Sequence, residues 1–158
     1  MGALWPVATT VSPSAATVSP DMPLKMMTVS RNAAVVLDEL TADLNVGDSR
    51  KMDRGLGYMP VHVECLHRSG LGLHYSVAHY YEQNGDLVPD PDVVFVRPAD
   101  GWSPVSFQSA LAYRVAVHFH EDSTIEVDEK EQADLVQFAN HWMRNIQEPQ
   151  GLSPRRSR

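Results

Sequence analysis

Residues 73–98 read LHYSVAHYYEQNGDLVPDPDVVFVRP and constrain the fold more than any other stretch of the chain. Residues 73–82 alternate between apolar and more polar side chains, which is typical of a strand with one buried face. The Asn-Gly-Asp sequence that follows favours left-handed backbone angles and a tight reversal. Residues 93–96 form a second, apolar run. The stretch therefore predicts an antiparallel hairpin, with Tyr81 facing inward and Tyr80 facing outward.

An N-terminal helix is predicted over residues 31–44. Its apolar positions recur at the three-and-four spacing of one helical face. Ser30 precedes it, and serine is a favoured N-cap because its side chain accepts a hydrogen bond from a free backbone N–H. Asn45 and Gly47 supply a C-terminal stop.

A C-terminal helix is predicted after Asp128. Asp128 and Glu131 have the spacing of a capping box, and carboxylates in the first turn are favoured by the helix dipole. Pro149 and Gly151 would end the helix. Its apolar stripe comprises Leu135, Phe138, Ala139, Trp142, Met143 and Ile146.

Alternation also predicts strands at residues 61–66 and 113–120, with a short strand near residues 105–107. These elements indicate an α+β fold: an antiparallel sheet of about five strands with an N-terminal helix and a C-terminal amphipathic helix packed on one face. The other face would then be partly open. We expect a disordered or low-complexity tail over residues 1–29, a single domain over residues 30–149 and a basic flexible tail over residues 150–158.

Charge and cysteine content exclude several classes of protein. The chain of 158 residues has a formal net charge of −7, and three of its thirteen cations lie in the last four residues. The body is thus more acidic still and lacks the basic face that ordinary nucleic-acid binding requires. The single cysteine, Cys65, cannot form an internal disulfide, so we expect a cytoplasmic protein. No window reaches the roughly 18 to 20 apolar residues of a membrane span.

His118 and His120 provide the most specific candidate for a metal site. The segment His-Phe-His-Glu-Asp matches the first part of the His-x-His-x-Asp-His run of binuclear metallohydrolases, and residues i and i+2 of a strand point to the same side. Ser123 occupies the sixth position, where that run has its third histidine. A solvent-facing strand end is the structural alternative.

Two weaker candidates involve other titratable residues. The cluster His79, Glu82, Asp86, Asp90 and Asp92 has ligands suited to a hard cation, although the aspartates also suit a solvated turn. Cys65 lies two residues before His67, the spacing of a thiol and a base on one strand face, although Cys65 is also predicted to be buried. We therefore predict no catalytic residue, no metal and no cofactor.

The acidic stretch, residues 121–134, contains seven carboxylates, one lysine and no arginine. Helix capping explains some of these carboxylates. The others are candidates for an interaction surface, because spaced carboxylates can occupy the Lys/Arg sites that a protein presents to phosphates. The predicted partner-binding residues combine this stretch with the Tyr80–Asp92 turn: Tyr80, Glu82, Asn84, Asp86, Asp90, Asp92, Glu121, Asp122, Glu126 and Glu129.

Three blocks of the sequence resemble a family of uncharacterised domains of unknown function. They are residues 75–95, with YSVAHYYEQNGDL and DPD, residues 104–107, PVSF, and residues 138–146, FANHWMRNI. The resemblance covers about residues 58–152. It implies no catalytic residues, and it implies an origin on bacterial phages, plasmids and integrative elements, whose small acidic proteins often inhibit host defence enzymes.

The leading hypothesis is a non-enzymatic, acidic protein-binding module of a mobile genetic element. It would act as an anti-CRISPR or anti-restriction inhibitor by occupying a basic nucleic-acid-binding site on a defence protein. Two alternatives belong to other classes: a metal-dependent hydrolase that uses His118 and His120, and a homo-oligomeric accessory protein, for example a homodimer. We expect neither direct nucleic-acid binding nor a membrane partner.

Overall fold

The computed structural model describes residues 15–18, 26–53, 59–98 and 101–147. These contain two helices and nine strands, arranged in two antiparallel sheets. The elements are β1 Ala15–Val18, α1 Arg31–Thr41, β2 Ser49–Met52, β3 Val61–Ser69, β4 Gly72–Gln83, β5 Asp86–Arg97, β6 Ser103–Gln108, β7 Tyr113–Val115, β8 Val117–Phe119, β9 Ile125–Asp128 and α2 Glu129–Gln147. The predicted α+β class with two helices is confirmed, whereas the predicted count of about five strands is too low.

The larger sheet is a meander in which each strand pairs with its neighbour in the chain, in the order β2-β3-β4-β5-β6-β7. One row of paired positions runs through Val63, Val77, Val93 and Phe107 on four successive strands. The first three of these side chains are buried, because both helices cover this face of the sheet. The predicted packing of the two helices on one apolar face is therefore confirmed.

Helix α1 begins as predicted and ends early. The Ser30 hydroxyl accepts a hydrogen bond from the Ala33 N–H at 3.2 Å, which is the expected N-cap. The helix stops at Thr41, three residues before the predicted end. The Arg50 guanidinium donates to the carbonyls of Leu40 and Ala42, so an arginine of β2 satisfies the C-terminal carbonyls. Leu44 is still buried in the core after the helix ends. The apolar pattern therefore continues past Thr41, and the helix predicted from it is too long.

The predicted strand over residues 113–120 is two strands that belong to different sheets. At Ala116 the N–H donates to the Val105 carbonyl of β6, and the carbonyl accepts from the Asp128 N–H at the end of β9. The chain therefore crosses from the large sheet into a smaller one of order β1-β9-β8. A second apolar cluster forms where the two sheets and α2 meet, from Val96, Val105, Ala116, Val117, Val127 and Leu135.

Helix α2 agrees with its predicted boundary and stripe. The Asp128 carboxylate accepts a hydrogen bond from the Glu131 N–H at 3.1 Å, as an N-cap does. Phe138 is partly buried and its ring stands edge-on to Phe107 with centroids 5.4 Å apart. The other five predicted apolar positions are buried. The predicted stops at Pro149 and Gly151 lie outside the described residues.

Of the two predicted tails, the structure describes only part of the N-terminal one. Within residues 1–29, strand β1 pairs with β9, and the N–H of Met27 donates to the Gln132 side chain at 2.9 Å. Val29 is buried in the core. The predicted tail over residues 150–158 lies outside the described residues. Neither of the two described helices has the length and apolar character that crossing a membrane requires.

Candidate functional site

The hairpin of β4 and β5 extends beyond the sheet as a two-stranded ribbon. Strand β3 pairs with β4 as far as Ala78, and β6 pairs with β5 as far as Asp92. Residues 79–90 therefore have no further strand beside them in the larger sheet, and we call this ribbon the arm. Its tip is a two-residue reversal in which Asn84 and Gly85 have φ of 54° and 86°. The predicted Asn-Gly turn is thus confirmed.

The arm presents three carboxylates and an exposed leucine. Glu82, Asp86 and Asp90 are exposed, and residues 79–90 contain no lysine or arginine. Among the described residues, no hydrogen bond or ion pair engages the carboxylates of Glu82 and Asp86. Leu87, which pairs with Glu82 across the ribbon, is 66% exposed. The arm therefore combines unneutralised negative charge with apolar surface.

Two aromatic contacts, one on each face of the sheet, fix the end of the arm where it joins the large sheet. On the helix side, the His79 ring stands at 88° to the Trp142 ring of α2, with centroids 5.4 Å apart. Burial, and then the nearby His62, lower the pKa of His79. On the other face, the Tyr80 ring stands at 84° to the His62 ring at 5.0 Å, which agrees with the predicted outward direction of Tyr80.

A polar groove lies on the open face of the large sheet beside Tyr80. Its volume is about 290 Å³, and its lining comes from three adjacent strands: Ser49, Arg50, Lys51, His62, Val63, Glu64, Ser76 and Tyr80. Cross-strand pairing explains this grouping, since Ser49 is opposite Glu64, and Glu64 is opposite Ser76. Asp92 of β5 borders the groove, and its carboxylate accepts a hydrogen bond from the Ser76 hydroxyl at 2.6 Å. We refer to these residues as the groove.

Burial and charge perturb the titratable groups of the groove. Burial raises the pKa of Asp92, the Ser76 hydrogen bond opposes this rise, and the charge of Glu64 adds to it. Burial and the charges of Asp92 and Glu64 raise the pKa of Tyr80. Burial and Lys51 lower the pKa of His62. Negative charge is therefore concentrated on the β3–β5 side of the groove, and Lys51 lies on the edge strand.

Most carboxylates of the acidic stretch take part in the fold. In the β8–β9 turn, Asp122 accepts hydrogen bonds from the N–H of Thr124 at 3.0 Å and from its hydroxyl at 2.6 Å. These bonds lower the pKa of Asp122. Glu126 lies 2.6 Å from the Nε2 atom of His120.

The helix end of the same stretch is also engaged. Asp128 caps α2, and Glu131 and Asp134 both form ion pairs with Arg114 of β7. Lys130 also approaches Asp134, at 3.4 Å. Of the seven carboxylates, the two exposed ones with no hydrogen bond or ion pair in the described part of the chain are Glu121 and Glu129.

The structure does not bring the two predicted acidic groups together. The Phe119 ring, beside the β8–β9 turn, contacts the His74 ring near the start of β4, with centroids 5.0 Å apart. The tip of the arm lies at the other end of the same strand, at Gln83. Nine residues of extended chain span about 30 Å. The predicted partner-binding residues therefore form two separate surfaces: the arm with Asp92, and the β8–β9 turn with the start of α2.

Within the described residues, neither the predicted metal site nor the predicted thiol–base pair has the further ligands or partners that its chemistry requires. No group of three or more His, Cys, Asp or Glu side chains within the described residues is arranged to hold a metal ion, and His120 is engaged by Glu126. Cys65 is buried, and burial raises the pKa of its thiol. His67 stacks on His74 at 4.3 Å instead of serving as a partner for that thiol.

A family model, described as a domain of unknown function (DUF6908), matches residues 31–153. The chain belongs to this family. The match begins at the first residue of α1 and includes the arm, the groove and all of α2. Comparisons with curated proteins and with solved structures found no match.

The groove is the surface that sequence reasoning missed. Its polar residues lie on the side of β3 and β4 opposite the buried valines, and alternation does predict that side to be exposed. Strand β2 supplies Ser49 and Lys51, and this four-residue strand was not predicted. Because the grouping depends on register between strands, no single segment of sequence identifies it.

Proposed function

We propose that this domain is a non-enzymatic protein-binding module whose arm binds a basic, nucleic-acid-binding surface of another protein. One observation carries the proposal: the arm projects unneutralised carboxylates from a ribbon that has no further strand of the described chain beside it. In a chain with a net charge of −7, carboxylates of the folded domain without internal partners are available to an external cation.

The shape of the arm supports a protein as the partner. A two-stranded ribbon is narrow enough to enter a cleft, and the exposed Leu87 adds an apolar contact opposite Glu82. Complementary charge increases the rate of association and the specificity of such a complex more than its final affinity. A partner with a row of lysines and arginines, such as a surface that normally contacts phosphates, fits these properties.

The resemblance to proteins of phages, plasmids and integrative elements supports a bacterial defence protein as the partner class. Restriction enzymes and RNA-guided nucleases hold nucleic acid in positively charged channels. An acidic ribbon that occupied such a channel would compete with the nucleic acid. The proposal therefore predicts mutually exclusive binding.

A comparison of two matched double variants tests this proposal. Glu82→Gln with Asp86→Asn removes two exposed carboxylates from the arm, and Glu121→Gln with Glu129→Gln removes two from the acidic stretch. Proteins captured from bacterial lysate by the unmodified chain are purified and titrated with each variant. We expect the arm variant to bind about tenfold more weakly or worse, and the other variant to bind nearly as well.

Two further measurements decide whether the captured protein is the proposed kind of partner. Affinity should fall as salt rises from about 50 to about 300 mM, since exposed charge pairs are screened. The unmodified chain should also displace a short DNA duplex from the captured protein. Equal binding by both variants, or a captured protein that binds the duplex and this chain at the same time, would refute the proposal.

A further inference from the structure

Two carboxylates lie on the face of the sheet that carries the groove: Glu64 lines the groove, and Asp92 borders it through its hydrogen bond with Ser76. Glu64 of β3 and Asp92 of β5 lie on the same face, on either side of Ser76 of β4. Among the described residues, no hydrogen bond or ion pair engages Glu64. Ser76 provides a hydrogen bond to Asp92, which is a neutral donor. Burial is the main cause of the raised pKa of Asp92, and the charge of Glu64 adds to it.

The nearby cations do not neutralise this pair. The guanidinium of Arg50 points to the other side of the sheet, where it donates to the carbonyls at the end of α1. Lys51 is exposed on the edge strand and pairs in register with His62. Neither makes an ion pair with Glu64 or Asp92 within the described residues. A cation from outside the chain would fill this position.

We propose that the groove binds the guanidinium group of an arginine side chain. The volume of about 290 Å³ lies at the lower limit of the roughly 300–1,000 Å³ of small-molecule sites, so it suits one side chain and not a large cofactor. Strands lie about 4.8 Å apart, and Asp92 is opposite Ala78, two residues along β4 from Ser76. The backbones of Glu64 and Asp92 are therefore about 12 Å apart, which leaves room for a planar cation between the carboxylates.

The other walls of the groove favour guanidinium over a simple ammonium. Tyr80 and His62 present two aromatic rings set at 84° to each other, and guanidinium stacks on aromatic faces. Its five N–H donors suit several separated acceptors, which here are the two carboxylates and the hydroxyls of the groove. The groove shares only Tyr80 with the arm. Its test measures binding of a small probe and does not depend on the partner captured by the arm, so the two proposals can fail separately.

The test is a titration of the ¹⁵N-labelled full chain, followed by NMR, with N-acetyl-arginine amide as the probe. We expect saturable shifts centred on Glu64, Ser76, Tyr80 and Asp92. N-acetyl-citrulline amide is the matched control because it has nearly the same shape and no charge. N-acetyl-glutamate amide tests whether Lys51 makes the groove an anion site instead.

Variants complete the test. Glu64→Gln removes one charge at an exposed position where folding is not at risk, and it should weaken the arginine probe about tenfold, the value of one charged hydrogen bond. Glu129→Gln, on α2, should leave the affinity unchanged. Equal shifts with citrulline, stronger binding of the glutamate probe, or an unchanged affinity in Glu64→Gln would each overturn the proposal.

The same titration identifies the source of the guanidinium. The blocked tripeptide Ac-Gly-Arg-Gly-NH₂ represents an arginine carried by a protein, and agmatine represents a free small molecule. Tighter binding of the tripeptide supports the site and assigns it to a protein ligand. Tighter binding of agmatine supports the site and assigns it to a small guanidinium compound.

Discussion

The arm and the acidic stretch are both rich in carboxylates, yet they differ in where those carboxylates find partners. In the acidic stretch, Asp122, Glu126 and Asp128 accept hydrogen bonds within the fold, and Arg114 pairs with two more carboxylates. In the arm, Glu82 and Asp86 have no such partner among the described residues. Local charge density alone therefore does not identify an interaction surface.

This difference changes which region is the better candidate for binding. A carboxylate that caps a helix or holds an arginine is part of the folding free energy, and its loss destabilises the domain. A carboxylate that projects into solvent contributes little to folding and is free for another molecule. The sequence combined the acidic stretch and the Tyr80–Asp92 turn in one predicted binding surface, whereas the contacts favour the arm.

The largest expected effect concerns pH and the end of the sheet next to the acidic stretch. His74 is 2% exposed, and burial and the nearby His67 lower its pKa from 6.5 to about 4. The unfolded chain takes up the proton first as pH falls, so the folded state loses stability from about pH 6.5 down to pH 4. The upper limit of this loss is about 3 kcal/mol.

Urea unfolding at several pH values measures this loss. His74→Gln should remove most of the decrease in the free energy of unfolding between pH 6.5 and 4. A smaller decrease should remain because the pKa values of His62 and His79 are also lowered. The arm variant Glu82→Gln with Asp86→Asn is the control and should keep the full slope. If the arm variant instead removed the pH dependence of the free energy of unfolding, the groups responsible would lie in the arm. That result would contradict the stated difference between the two regions.

An intermediate effect is expected at the cap of α2. Asp128→Ala removes the acceptor of the Glu131 N–H and should lower the free energy of unfolding by about 1 kcal/mol. Asp86→Ala is the same chemical change in the arm and should alter it by only a few tenths of a kcal/mol. Thermal unfolding of both variants at neutral pH measures this difference. Equal decreases in the free energy of unfolding would show that Asp86 has a structural partner.

Sequence reasoning succeeded where a structure is decided by neighbouring residues. The Asn84-Gly85 pair fixes a tight turn through its own backbone preferences, and Asp128 caps the helix that starts one residue later. It failed where the structure depends on contacts between residues that are far apart in the sequence. The alternation of residues 113–119 continues unbroken across Ala116 because it reports side-chain direction, and it does not report which strand receives the backbone hydrogen bonds.

The candidate site follows the same rule. The arm was predictable as a hairpin, but its overhang depends on where β3 and β6 stop pairing. Several carboxylates of the acidic stretch are held by Arg114 and His120. Hydrophobic periodicity does not predict which carboxylate each of these side chains contacts. The groove collects side chains from β2 to β5, so its composition appears only once the register is known.

The smallest effect is expected when the arm loses its charge, and its sign is informative. Glu82 and Asp86 add negative charge to an acidic chain, so replacing them with Gln and Asn reduces the overall repulsion. The free energy of unfolding should stay the same or rise by less than about 0.5 kcal/mol. Replacing Glu126 with Gln should lower it instead, because the hydrogen bond between the Glu126 carboxylate and His120 is weakened. Urea unfolding at low salt gives the greatest sensitivity. Because the arm variant is also the one expected to lose its partner, a domain that stays fully folded while binding fails would separate recognition from folding in a single protein.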